Sequence, residues 1–160
     1  MKPAHIIWLI LIMASCSQSP RHTTDYSIAP KFVTTQPTFC ENARLVLNNA
    51  DTLSAMIVDA TEEQALEQFF TPINQRQAIV VKYDEERRRA YTMSNIGQSI
   101  DIVFLNSEKN VINTMQNMRP YSTQTFNSFE YAQYAIILAA GNYGKKNIKE
   151  CDIVKFLPIN

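Results

Sequence analysis

The chain has 160 residues, an apolar content of 46% and fifteen basic side chains balanced by fifteen acidic ones. That length allows one domain plus a leader, with the composition of an ordinary globular core. Balanced charge argues against the clustered basic excess of a nucleic-acid binder, and three Gly, none in a phosphate-loop pattern, argue against a glycine-rich phosphate loop.

In chain order, residues 1–5 are a weakly positive start and 6–13 an unbroken apolar run. The run is far shorter than the ~20 residues of a membrane-spanning helix and fits the apolar region of a secretory signal. It ends in Met13-Ala14-Ser15-Cys16, which resembles a bacterial lipoprotein cleavage box. Small residues let a peptidase reach the backbone, and the Cys16 thiol takes the diacylglycerol. Ser17 follows where Asp would alter the address, which resembles default sorting to the outer membrane. The expectation is a lipoprotein signal over 1–15 and lipidation at Cys16, on an outer-membrane protein facing the periplasm. Residues 16–39 are rich in Ser, Thr, Pro and Gln without periodicity. They cannot bury enough surface to fold alone and read as a tether. His22 lies within it as a solvated side chain.

Residues 40–160 read as the domain. Strands are predicted over 43–47 and 53–58, with turn chemistry at Asn48-Asn49-Ala50-Asp51 making a hairpin. Thr61 with Gln64 forms a capping box before apolar residues at helical spacing, so a short helix is predicted until Thr71-Pro72 stops it. A third strand covers 78–83. Residues 84–89 are three acids and three arginines, read as a solvated hairpin tip. Further strands follow over 89–93, 100–105, 111–118, 131–138 and 152–157. A long polar, aromatic-dotted loop occupies 119–130, and a helical turn is predicted within 144–149. The fold class is mainly β: a single compact β-sandwich or partly closed barrel, with one short helix after the second strand and a helical turn near the C-terminus.

Both His residues, His5 and His22, precede Cys40. Without imidazole the domain lacks the usual Ser–His and Cys–His nucleophile pairs and the common His-based metal sites. No transition metal and no cofactor are expected. A hydrolase or transferase would have to rely on carboxylates such as Asp101 and Asp152. Once Cys16 is acylated, Cys40 and Cys151 remain in an oxidising compartment, and a disulfide between them would staple the two ends of the domain. Asp101 sits in an apolar strand, on the face shared with Val103 and Leu105. A buried carboxylate needs hydrogen bonds or a cation. Either it accepts them from the 97–99 turn, Ser94 or Asn95 and pins the hairpin, or Asp101, Asn95 and Met93 line a groove and orient a polar ligand. The aromatics Tyr121, Phe126, Phe129, Tyr131 and Tyr134 either cover the core or offer stacking faces to a sugar ring.

The stretch from Tyr91 to Asn106, YTMSNIGQSIDIVFLN, resembles the signature of domain-of-unknown-function family 192. Met93, Asn95, Ile100, Asp101, Ile102, Phe104 and Leu105 match that signature in identity or type. Thr92, Ser94 and Asn106 stand where the family has Trp, Lys and Asp. Upstream, Thr61-Glu62-Glu63-Gln64 is similar to the family's Thr-Pro-Glu-Glu-Gln. Downstream, Leu138-Ala139-Ala140-Gly141 is similar to Glu-Leu-Pro-Ala-Gly, and Cys151-Asp152 takes the place of Gly-Asp. The resemblance covers roughly residues 43–156 and implies a compact β-rich domain of unknown activity. The replaced Trp and Lys are the positions where a family site would be sought.

Together these features lead to a lipid-anchored envelope protein with a non-catalytic binding or accessory domain. Its expected partners are the membrane, through the Cys16 lipid, and an envelope protein or polysaccharide. No nucleic acid is expected, and a monomer is. The alternative is a carboxylate-based envelope hydrolase or transferase.

Overall fold

The computed structural model describes residues 38–47, 51–61 and 70–159, all within the unit Thr35–Asn160. The signal, Cys16, most of the tether, the 48–50 turn and the helix expected over 62–69 lie outside the described residues. Nine strands are described: β1 (Ala43–Val46), β2 (Thr52–Ala60), β3 (Gln77–Arg87), β4 (Ala90–Tyr91), β5 (Ile100–Leu105), β6 (Val111–Met118), β7 (Phe126–Asn127), β8 (Ala132–Ala139) and β9 (Lys155–Pro158). One short helix, α1 (Asn142–Lys145), begins within the 141–144 stretch read as a chain break and overlaps the predicted helical turn only at its last two residues.

Seven strands make one sheet in the order β6-β5-β8-β3-β2-β1-β9, and β4 and β7 form a two-stranded ribbon. The fold is mainly β as expected, and no barrel is closed. Every pairing is antiparallel except β2 with β3. A parallel pair needs a crossover connection, here residues 61–76.

Strands β5, β8 and β3 lie in the interior of the sheet, and alternate side chains build two cores. Ile79, Val81, Ile100, Ile102, Phe104 and Ile137 face one way, with Phe70, Ile73, Tyr91, Met93 and Ile96 packed over them. Ala78, Val80, Val103, Leu105, Ile136 and Leu138 face the other way, with Leu45, Leu53, Ile148 and Val154. Burial on both faces is why β5 and β8 read as near-continuous apolar runs rather than alternating ones. Along the edge strand β6, residues 109–111 bond the segment leading into the opposite edge strand, β9. Val111 N–H donates to Asp152 O at 2.8 Å, Cys151 N–H to Val111 O at 2.9 Å and Val154 N–H to Lys109 O at 3.1 Å. The two edges are thereby tied at one end.

Two expectations are corrected. The charge block is not all solvated: β3 runs through to Arg87, and Arg89 is buried. The Arg89 guanidinium lies 3.9 Å from the centre of the Tyr83 ring, and its Nε donates to Ala132 O at 3.1 Å. A terminal nitrogen donates to Glu85 O. The Arg89 backbone exchanges bonds with Ser128, which fixes the ribbon against the sheet. A buried cation is tolerated here because an aromatic face and carbonyl oxygens replace its water.

The second correction concerns Cys40 and Cys151, which are both free and exposed. The antiparallel register pairs Ala43 with Pro158 and Val46 with Lys155. Cys40 therefore lies beyond one end of this strand pair and Cys151 beyond the other. The paired strands alone span about 10 Å, more than the ~7 Å limit on Cα separation in a disulfide.

Candidate functional site

Asp101 is buried, and its two oxygens accept bonds from different elements. Oδ1 takes the Asn117 N–H at 2.8 Å and Oδ2 takes the Tyr143 N–H at 3.0 Å. Ile100 pairs with Met118 and Ile102 with Met115, so β6 bulges opposite Asp101, and Asn117 adopts φ 50. A bulge frees an amide from the ladder, and the carboxylate satisfies it. At the other oxygen the chain leaves Gly141, at φ 84, and enters α1. Asp101 thus pins a bulge and a helix start, not the 97–99 turn that the sequence suggested.

Met93 is fully buried on the opposite face of the sheet. The three expected site residues are not assembled into one site. Of the three, only Asn95 lines an open cleft, of about 560 Å³. The cleft lies between the crossover loop 70–77 and the loop 95–98, with Tyr121 at its border. Phe70, Pro72 and Ile73 supply an apolar wall, and Asn74, Gln77, Asn95 and Gln98 supply carboxamides.

Backbone bonds hold this architecture. Gln98 clamps Ile73 at both ends: its Oε1 accepts the Ile73 N–H at 3.0 Å, and its Nε2 donates to Ile73 O at 2.6 Å. Tyr121 N–H donates to Ile96 O at 3.1 Å, and Met93 N–H to Ser122 O at 3.0 Å, so the 93–96 and 121–122 segments are held together. A side-chain carbon placed on Gly97 would sit 2.6 Å from the Tyr121 hydroxyl. Glycine is what lets the phenol lie against that loop. On the far side, Asn142 Nδ2 donates to Gln75 O at 3.1 Å and Gln75 Nε2 donates to Ala140 O at 3.2 Å.

Sequence reasoning named Asn95 and, among the aromatics, Tyr121. It passed over Asn74, Gln77 and Gln98, whose only signal was a cluster of amides flanking strands. The aromatics divide between the two readings: Tyr134 and Phe126 pack on the cores, whereas Tyr121, Phe129 and Tyr131 are each more than 60% exposed. Of the carboxylates considered for acid–base work, Asp101 is fully committed to backbone amides, and Asp152 Oδ2 accepts the Lys149 N–H at 2.7 Å. Neither lines the cleft.

Two solved structures resemble the domain. One, from Sinorhizobium meliloti 1021 and described as a candidate transcription regulator, is 21% identical, with a TM-score of 0.61 over 72% of this chain and 92% of that one. The other, a protein of unknown function from Novosphingobium aromaticivorans DSM 12444, is 16% identical, with a TM-score of 0.60 over 71% of this chain and 83% of that one. At such identities the likeness is one of fold. No curated protein matches the chain. The family model of DUF192, described as Uncharacterized ACR, matches residues 45–156, the whole sheet apart from its outermost ends, and the chain belongs to that family.

Proposed function

We propose that this chain is a lipid-anchored protein of the cell envelope, held at the periplasmic face of the outer membrane through Cys16. Its β-domain binds an uncharged polar component of that envelope. The observation that carries the binding role is the cleft beside Asn95. Its described lining is apolar carbon and neutral amide, and among the described residues there Tyr121 carries the one side-chain group that ionises. Concave, mostly apolar sites with a few fixed polar groups are the usual form of a binding pocket. General acid–base chemistry needs titratable groups at the reacting atoms, and among the described residues this lining offers a phenol alone. The anchoring part of the reading rests on the apolar run and the Met13-Ala14-Ser15-Cys16 box.

Two measurements test the proposal. Full-length protein expressed in a bacterium with two membranes should fractionate with the outer membrane, and Cys16→Ala should release it. Protein that stays membrane-bound as Cys16→Ala ends the anchoring claim. Purified full chain should also co-sediment with insoluble envelope polysaccharide, and Tyr121→Ala should lower the bound fraction. Co-sedimentation unchanged by Tyr121→Ala would remove the cleft from the reading.

A further inference from the structure

We infer that the ligand of this cleft is an N-acetylated sugar residue of a glycan, an inference that rests on the binding role proposed above and adds the ligand's chemistry. Which amide atoms are free decides what the cleft can bind. Gln77 Oε1 accepts the Asn74 N–H at 3.1 Å, and Asn74 Oδ1 accepts the Arg76 N–H at 2.8 Å. A backbone N–H can be met only by the oxygen of a carboxamide, so in both residues the NH₂ end is the one left over. Neither NH₂ has a partner among the described residues. Gln98 has both ends engaged by Ile73. The lining of the cleft therefore includes two carboxamides whose oxygens are already spent and whose NH₂ ends are unengaged among the described residues, with the Asn95 amide and the Tyr121 hydroxyl as its adaptable groups.

That inventory selects among ligands. Among the described residues no lysine, arginine or histidine lines the cleft, so an anionic ligand would give up its hydration without a countercharge. Among the described lining residues there is no carboxylate to receive a cation. An extended peptide brings one N–H for each C=O, and a site with its fixed carbonyls occupied matches only half of that pattern. An acetamido group fits better. Its carbonyl oxygen meets an NH₂ donor, and its methyl group meets the wall of Phe70, Pro72 and Ile73. The pyranose ring carries an apolar face, and Tyr121 offers an aromatic one. The Tyr121 ring is 68% exposed, and its backbone is fixed by the bond to Ile96. A large aromatic left open at a cleft border is a stacking surface prepared in advance.

The test uses the full chain in detergent and calorimetric titration with two probes of equal length, an oligomer of N-acetylglucosamine and an oligomer of glucose. The acetylated oligomer should bind, and the glucose oligomer should bind at least about tenfold more weakly, the effect of losing one well-made contact. Gln77→Glu and Asn74→Asp each keep the oxygen that meets the backbone N–H while replacing the outward donor with an acceptor. Each should weaken binding of the acetylated oligomer by about tenfold or more, with unfolding midpoints confirming that the variants fold. Equal affinity for the two oligomers, or parental affinity in both variants, overturns the inference. If neither oligomer binds while the chain still co-sediments with envelope polysaccharide, the acetamido assignment falls and the binding role stands. If co-sedimentation is also absent, both fall.

Discussion

Asp101 and Tyr143, 42 residues apart in the chain, are joined by a 3.0 Å bond from the Tyr143 backbone N–H to a carboxylate oxygen. This bond fixes the turn at 141–143 against the sheet. The neighbouring Asn142 side chain then holds Gln75 O at 3.1 Å, within the loop that carries Asn74 and Gln77. Asp101 is thus one step removed from the cleft: it braces the turn that braces the loop.

Asp101→Asn should cost about 2 kcal/mol of stability. Both carboxylate oxygens receive backbone N–H groups, and a carboxamide can offer oxygen to only one of them. Its NH₂ would face the other donor. A denaturant titration would show the midpoint falling, with the variant still folded. An unchanged midpoint would mean that the two backbone bonds contribute nothing net.

The Tyr83 and Tyr91 hydroxyls lie 2.6 Å apart in the core. Burial raises both above the ordinary value of 10.0. For Tyr91, burial comes first and the neighbouring Tyr83 adds to it; for Tyr83, the hydrogen bond with Tyr91 and the Arg89 charge pull partly back. An unfolded chain releases these protons near 10.0, and the folded one only at higher pH. Above that pH the unfolded state binds fewer protons. Stability is therefore fully present below about 10 and is lost as the pH climbs through the raised native values. Tyr91→Phe should lose about 1 kcal/mol at neutral pH, the net value of one hydrogen bond, and should flatten the alkaline decline. Unfolding midpoints across alkaline pH, alongside tyrosinate absorbance, would show it. A decline as steep as that of the parent would rule out the pair as its source.

Gly97→Ala should separate the cleft from the fold. The added methyl group meets the Tyr121 hydroxyl at 2.6 Å, and the exposed ring can swing aside. Stability should change by no more than about 0.5 kcal/mol, while binding at the cleft weakens. A large loss of stability would show that the Tyr121 ring is held more firmly than its exposure implies.

Cys40 and Cys151 should both react with a maleimide in folded protein isolated without reductant, because both are exposed and unbonded. Labelling counted by intact mass would read the result. If both remain unreactive until reduction, the register argument for their separation fails.

Much of the fold was legible. Strands β5 and β6 fall on the predicted residues, and β1, β2, β3 and β8 lie within a few residues of prediction, β3 running on past its predicted end. Apolar runs bounded by turn residues are a local signal, and the sequence carried it. Asp101 stood out for the same reason, as an acid inside such a run. Its partners did not, because Asn117 and Tyr143 meet it through backbone amides, which no residue type announces. The parallel pairing of β2 with β3 was also hidden. Periodicity gives the period of a strand and not its neighbour. Arg89 was lost in a run of like residues; only the return of β8 beside β3 brought the Ala132 carbonyl and the Tyr83 ring to its guanidinium. By itself the sequence determined the β character of the domain, the acid inside an apolar strand and the absence of imidazole from residues 40–160. The tertiary structure alone decided which amides have a free end, that Asn95 joins the crossover loop rather than Asp101, and that the two thiols stay apart. Those outcomes depend on strand order and register, which bring together residues that neither adjacency nor periodicity connects.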